Sequence, residues 1–256
     1  MNTDNKVIRL EKNGPEDSGL QPMRLDPQDF QSERPNQHIH TYYEDTKLGL
    51  TVGVWTTTTM QEAFGPYPGD EFMWVLEGQA CMVDDQKNEI IISSGQSFLV
   101  RNAIPISWKQ EGFLRKFFIT YANPNRSTPN ITSAHGGIKV LDRAKLQLSM
   151  LETKSTDPFV IEKGTPIQRE VSVFENDEKN MFIGMWQSSE FLSEMRPFPF
   201  HEFVQLLEGE VVVSEPDGTV NTFKAGDAFF IPQGTVCQWQ VIKPILKYYA
   251  ILDSSV

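Results

Sequence analysis

The chain has 256 residues, which fits one large domain or two ordinary ones, and 39% of them are apolar, including 17 Phe and 5 Trp, ample for a sizeable core. Lys and Arg number 23 against 34 Asp and Glu, a net charge of −11, and no basic cluster breaks that balance. Phosphate backbones and anionic membrane surfaces would be repelled, so neither nucleic acid nor a membrane is expected as a partner.

In chain order, the opening "MNTDNKVIRLEKNG" has no apolar run of signal-peptide length. No later stretch approaches the roughly 20 apolar residues of a membrane helix. Cys81 and Cys237 are the only cysteines, too few for a disulfide framework. These features predict a cytoplasmic protein. "QHIHTYYED" at 37–45 then sets His38, His40 and Glu44 in a spacing that invites a metal reading. Alternating side chains make the same stretch a β-strand with both histidines on one face.

An internal repeat decides between the two. At an offset of 131 residues, "GVW" at 53–55 faces "GMW" at 184–186, and "PYPGDEFMWVLEG" at 66–78 faces "PFPFHEFVQLLEG" at 197–209. Gly95 faces Gly226, Phe98 faces Phe229, Trp108 faces Trp239 and Lys116 faces Lys247, with no gap. The chain therefore holds two copies of one domain. Shifted by the same offset, "HIHTYYE" lands on "REVSVFE" at 169–175, which has no histidine. The shared role of the segment is a strand, not a metal site.

Between the copies, "NPNRSTPNITSAHGG" at 123–137 reads as a loop or linker. "LDRAKLQLSML" at 141–151 follows as a short helix or a further strand. The expected domains are 1–125 and 126–256. Within each copy, short β-branched and aromatic runs are broken by turns such as "EPDGT", "AGD" and "PQG", and Asp217-Gly218 marks a hairpin. The fold class is all-β, a sandwich or barrel repeated twice.

"EFVQLLEGEVVV" followed by "AGDAFFIPQGTVCQW" resembles the two signature motifs of the cupin superfamily. Glu202 with Gly209, and Glu71 with Gly78, have the family's six-residue gap, and Gly226, Pro232 and Gly234 match its second motif. The tail at 239–249 resembles the EutQ-like branch. The resemblance implies a bicupin: two tandem RmlC-like jelly-roll β-barrels. It also implies a homodimer, since such barrels expose sheet edges that invite pairing.

The family's metal-ligand positions hold other residues here. In the second copy they are Arg196, Phe198, Glu202 and Cys237; in the first, Gly65, Tyr67, Glu71 and Ile106. Two donors do not make a cation site, and Arg196 would repel a cation. No metal and no other cofactor is expected, with a divalent ion as the lesser alternative. His201 neighbours Glu202 and should face away from it, as a surface or interface histidine.

What recurs in both copies is a Glu, a Trp and a Lys. A carboxylate pointing into a barrel needs a cationic partner. The bland reading is a buried Glu–Lys pair with Trp as core. The functional reading is a small-molecule pocket in the second copy. There Glu202 and Lys247 are the catalytic candidates, and Arg196, Phe198, Cys237, Trp239 and Trp186 contact the substrate. The ligand expected is a small polar metabolite with an amine or a carboxylate. A metal-dependent bicupin similar to ureidoglycine aminohydrolase is one alternative, and a non-catalytic sensor or assembly protein is another.

Overall fold

The computed structural model describes residues 5–255. The chain divides into two compact units. One is Leu10–Leu141; the other joins residues 5–9 to residues 142–255. This differs from the expected boundary at 125/126. Residues 123–137 contain no helix or strand, but Ala134 is buried and its N–H donates to Asp85 Oδ1. The strand Ile138–Val140 then pairs with Ser97–Val100, so the stretch after 125 belongs to the first unit.

The first unit stacks two antiparallel sheets. A seven-stranded sheet runs in the order Ile138–Val140, Ser97–Val100, Asp70–Glu77, Leu114–Tyr121, Leu50–Thr57, Gln37–Asp45, Gln21–Pro22. The other sheet is built around Pro105–Gln110 and Gln79–Val83. Between them lie Trp55, Met73, Met82, Phe98 and Trp108, all buried. The "QHIHTYYED" stretch is the expected strand, paired along its length with Leu50–Thr57.

The second unit repeats this plan with longer strands. His201–Ser214 and Val236–Leu252 each run through both layers. Where the first copy breaks at Gly78 (φ 82°), the second bends at Gly209 (φ 85°), and a Cβ there would collide with the Pro244 carbonyl. Strand registers agree at the 131-residue offset. Glu71 lies opposite Val100 and Thr120, as Glu202 lies opposite Ile231 and Ile251. Trp108 lies opposite Met82, as Trp239 lies opposite Val213. The Asp217-Gly218 turn closes the hairpin of Val220–Lys224 on the long strand. The 141–151 stretch contains both expected elements in part: a helix at Arg143–Ser149, capped by Asp142, runs into the strand Leu151–Thr153.

Residues 5–9 belong to the second unit, a connection the sequence does not announce. Val7 enters its core, and Arg9 lies 4.3 Å from the centre of the Phe223 ring. Among the described residues no helix is long and apolar enough to cross a membrane.

Candidate functional site

Glu202 lies on the long strand His201–Ser214, and strand alternation turns it, with Val204 and Leu206, to the barrel interior. It is 2% exposed. Lys247, on the adjacent strand, donates to its Oε1 at 2.6 Å. The ammonium also lies 4.8 Å from the Trp186 ring centre and 4.9 Å from that of Trp239. Burial pushes the Glu202 carboxyl above its ordinary range; Lys247 opposes that shift and Glu170 adds to it.

A cavity of about 210 Å³ opens on this pair. Glu202, Lys247 and Trp186 line its inner end, and Phe159, Phe200 and Ile251 supply apolar wall. Glu170 and Asp157, both exposed, stand at the rim. Tyr249 also lines it and donates its hydroxyl to Glu170 Oε1 at 2.5 Å. The ring of Tyr249 crosses Gly184 so closely that any side chain there would strike its hydroxyl. An adjoining cavity of about 280 Å³ shares Glu170, Phe200, Tyr249 and Ile251 and adds Asp253.

Of the predicted residues, Glu202, Lys247 and Trp186 are brought together at the cavity. Trp239 packs behind Lys247 rather than on the cavity wall. Phe198 is buried in the core, stacked on Trp239 with ring centres 6.2 Å apart. Cys237 is also buried, and loss of solvent pushes its thiol up to about 12, so it is neither a nucleophile nor a ligand-facing group. Arg196 lies on the short edge strand Arg196–Pro197, exposed and outside the cavity wall. His201 faces away from Glu202 as expected, but it is not a surface residue. It is 5% exposed, stacks on Phe230, and accepts a hydrogen bond from the Gln233 N–H.

Phe159, Glu170 and Tyr249, with Asp157, Phe200 and Ile251, line the cavity without having been predicted from the sequence. Phe159 packs against Trp239 and Trp186 with ring centres 5.1 and 6.0 Å away. Glu170 and Tyr249 carry a signal in the repeat itself. At the 131-residue offset they replace Ile39 and Phe118, a polar pair in place of an apolar one.

The first barrel shows the same pair in a closed form. Lys116 donates to Glu71 Oε1 at 2.6 Å, while the Tyr67 hydroxyl donates to Glu71 Oε2 at 2.5 Å. The Met73 sulfur sits 3.0 Å from the Lys116 ammonium. In the second barrel Phe198 stands in the place of Tyr67 and Val204 in that of Met73.

Residues 177–249 match the family of EutQ-like cupin domains. That match covers part of the second barrel, and the chain as a whole has a cupin-like fold. The chain is similar in structure to a DUF861-family protein of unknown function from Pseudomonas syringae pv. tomato DC3000, with 25% identity, a TM-score of 0.75, and coverage of 97% of this chain and 100% of the other. It also resembles the DUF861 protein YlbA of E. coli (12% identity, TM-score 0.54, coverage 99% and 97%) and a putative dioxygenase from Nostoc punctiforme PCC 73102 (11%, 0.60, coverage 98% and 84%). No curated protein matches the sequence.

Metal-binding cupins place histidines where this chain has Arg196 and Phe198. The residues present do not fit a divalent ion. Glu202 is already engaged by Lys247, the Cys237 thiol is held protonated, and Arg196 lies on an exposed edge strand. Among the described residues, no group of His, Cys, Asp and Glu is arranged to hold a metal.

Proposed function

We propose that the second barrel binds a small metabolite carrying an amine on an apolar body, with Glu202 as the anchor. One observation carries this reading: Glu202 lines the cavity with Oε1 held by Lys247, while no hydrogen bond among the described residues engages Oε2. A carboxylate oxygen with an open acceptor position at a cavity is a natural partner for a ligand N–H, and a charged one makes the stronger bond. Glu170 and Asp157 make the entrance acidic against a single ammonium, which favours a cationic ligand over a carboxylate. Trp186, Phe159, Phe200 and Ile251 give the ligand's carbon skeleton an apolar bed. The cavity volume lies below the roughly 300–1,000 Å³ of drug-sized sites, which suits a compact metabolite. Where turnover follows binding, Glu202, with its carboxyl shifted upward, is the group placed to accept the ligand's proton, and Lys247 then steadies the pair.

Calorimetric titration with a panel of short primary amines and matched carboxylates tests this. Glu202→Gln keeps an oxygen for Lys247 but removes the charge, and should weaken amine binding by about 10- to 100-fold, from the worth of one charge-assisted hydrogen bond. Preference for the carboxylates, or equal amine affinity in the variant, would reject the reading. Stoichiometric transition metal lost on Glu202→Ala would instead favour the metal-dependent enzyme.

A further inference from the structure

His38, first met in the H-x-H spacing, is not explained by the second-barrel site. In the strand Gln37–Asp45, Gln37 reaches inward to donate to the Met60 sulfur, and Ile39 packs on the core. Alternation therefore turns His38 to the outer face of the first barrel. It sits opposite Pro22 of the edge strand Gln21–Pro22. Beside it the chain leaves the sheet at Met23, whose N–H donates to the Gln37 carbonyl, and returns at Asn36. This excursion encloses a cavity of about 340 Å³ lined by Arg24, Arg34, Asn36 and His38, with Met23 and Leu25 as apolar wall.

The lining holds no carboxylate. Of the three acids of the same segment, Asp26 accepts from the Gln28 N–H, Asp29 lies near Glu62, and Glu33, beside Arg34, is exposed and outside the lining. Neither Arg24 nor Arg34 enters an ion pair or hydrogen bond among the described residues. In a chain of net charge −11, two unpaired guanidinium groups and an imidazole around one cavity are not a generic surface. Two planar forks suit an oxyanion, which they can bind bidentately, and they disfavour the metal cation that the histidine spacing first suggested.

We propose that Arg24, Arg34 and His38 form a binding site for a small oxyanion, the phosphate or carboxylate group of a metabolite, on the outer face of the first barrel. The full chain is titrated calorimetrically with inorganic phosphate and with malonate at low chloride. At least one probe should bind saturably at one site and weaken as salt is raised. Arg24→Gln/Arg34→Gln should weaken that binding at least tenfold without shifting the melting temperature, since both side chains are exposed. Which probe binds tells a phosphoryl-bearing from a carboxylate-bearing ligand. No saturable binding of either, or unchanged binding in the double variant, overturns the proposal. So does zinc binding that is lost in His38→Ala while neither anion binds.

Discussion

Phe198 stands in the second barrel where Tyr67 stands in the first, and the exchange opens one oxygen of Glu202. The two backbones match bond for bond. Tyr67 N–H donates to the Ile104 carbonyl and Phe198 N–H to that of Thr235, while the carbonyls of Tyr67 and Phe198 accept from Ala103 and Gly234. Only the hydroxyl differs. Phe198→Tyr should therefore place a donor on Glu202 Oε2, as Tyr67 does on Glu71. The expected outcome is a stable protein that no longer binds amines. The mirror variant, Tyr67→Phe, leaves a buried oxygen of Glu71 without its donor and should cost about 1–3 kcal/mol. Calorimetry and denaturant melts read the two effects. Retained amine affinity in Phe198→Tyr would show that the open oxygen is not the anchor.

The Glu202–Lys247 pair has side chains only 2% and 5% exposed, so neither charge can be removed alone without stranding the other. Lys247→Met is expected to destabilise the second barrel by about 3–5 kcal/mol, the usual result of breaking a buried pair. Glu202→Gln/Lys247→Met should recover most of that loss, because no uncompensated charge remains. Urea denaturation of the two variants gives the coupling. Additive losses would mean that the charges act independently in the folded barrel.

Much of the fold was legible because repetition converts weak local signals into a strong one. The alignment of Glu71 with Glu202, and of Trp108 with Trp239, needs no propensity scale, and the strand registers reproduce it residue for residue. The inward turn of Glu202 followed from alternation with Val204. Cys237 and Arg196 were misassigned to the cavity because motif positions fix a strand and not what the side chain meets there. Arg196 is at an exposed edge, and Cys237 is sealed in the core. Phe159 could not be read, since it comes from an irregular segment with no partner in the repeat. Glu170 and Tyr249 could have been, as departures from Ile39 and Phe118.

The attachment of residues 5–9 to the second barrel makes a separable prediction. Val7 is buried in its core, its N–H donates to Glu215 Oε1, and Arg9 pairs with Asp227 while covering the Phe223 ring. Deleting residues 1–9 should destabilise the second barrel by about 1.5–3 kcal/mol, the worth of one buried Val-sized side chain. The exposed ion pairs add little. Hydrogen exchange should show lost protection along Ala228–Ile231 and Val220–Lys224. Unchanged exchange in both strands would show that the arm is only loosely held.

In the first barrel, burial raises the Glu62 carboxyl from 4.5 to about 7, with Lys116 opposing the shift and Glu71 and Asp29 adding to it. A raised carboxyl means that the folded state holds more protons than the unfolded state between the two values. Stability contributed by this group is then greatest below about pH 4.5 and declines as pH rises through about 7, where the folded barrel must carry the ionised form. Glu62 is half-buried, so solvent moderates the size of the effect but not its sign. Glu62→Gln removes the titrating group and should flatten that decline between about pH 5 and 7.5 while leaving the Lys116–Glu71 bridge in place. Urea midpoints measured across this window in both proteins decide it. A slope identical in the variant would place the decline on other groups, and a wild-type stability that climbs through the window would contradict the raised carboxyl itself.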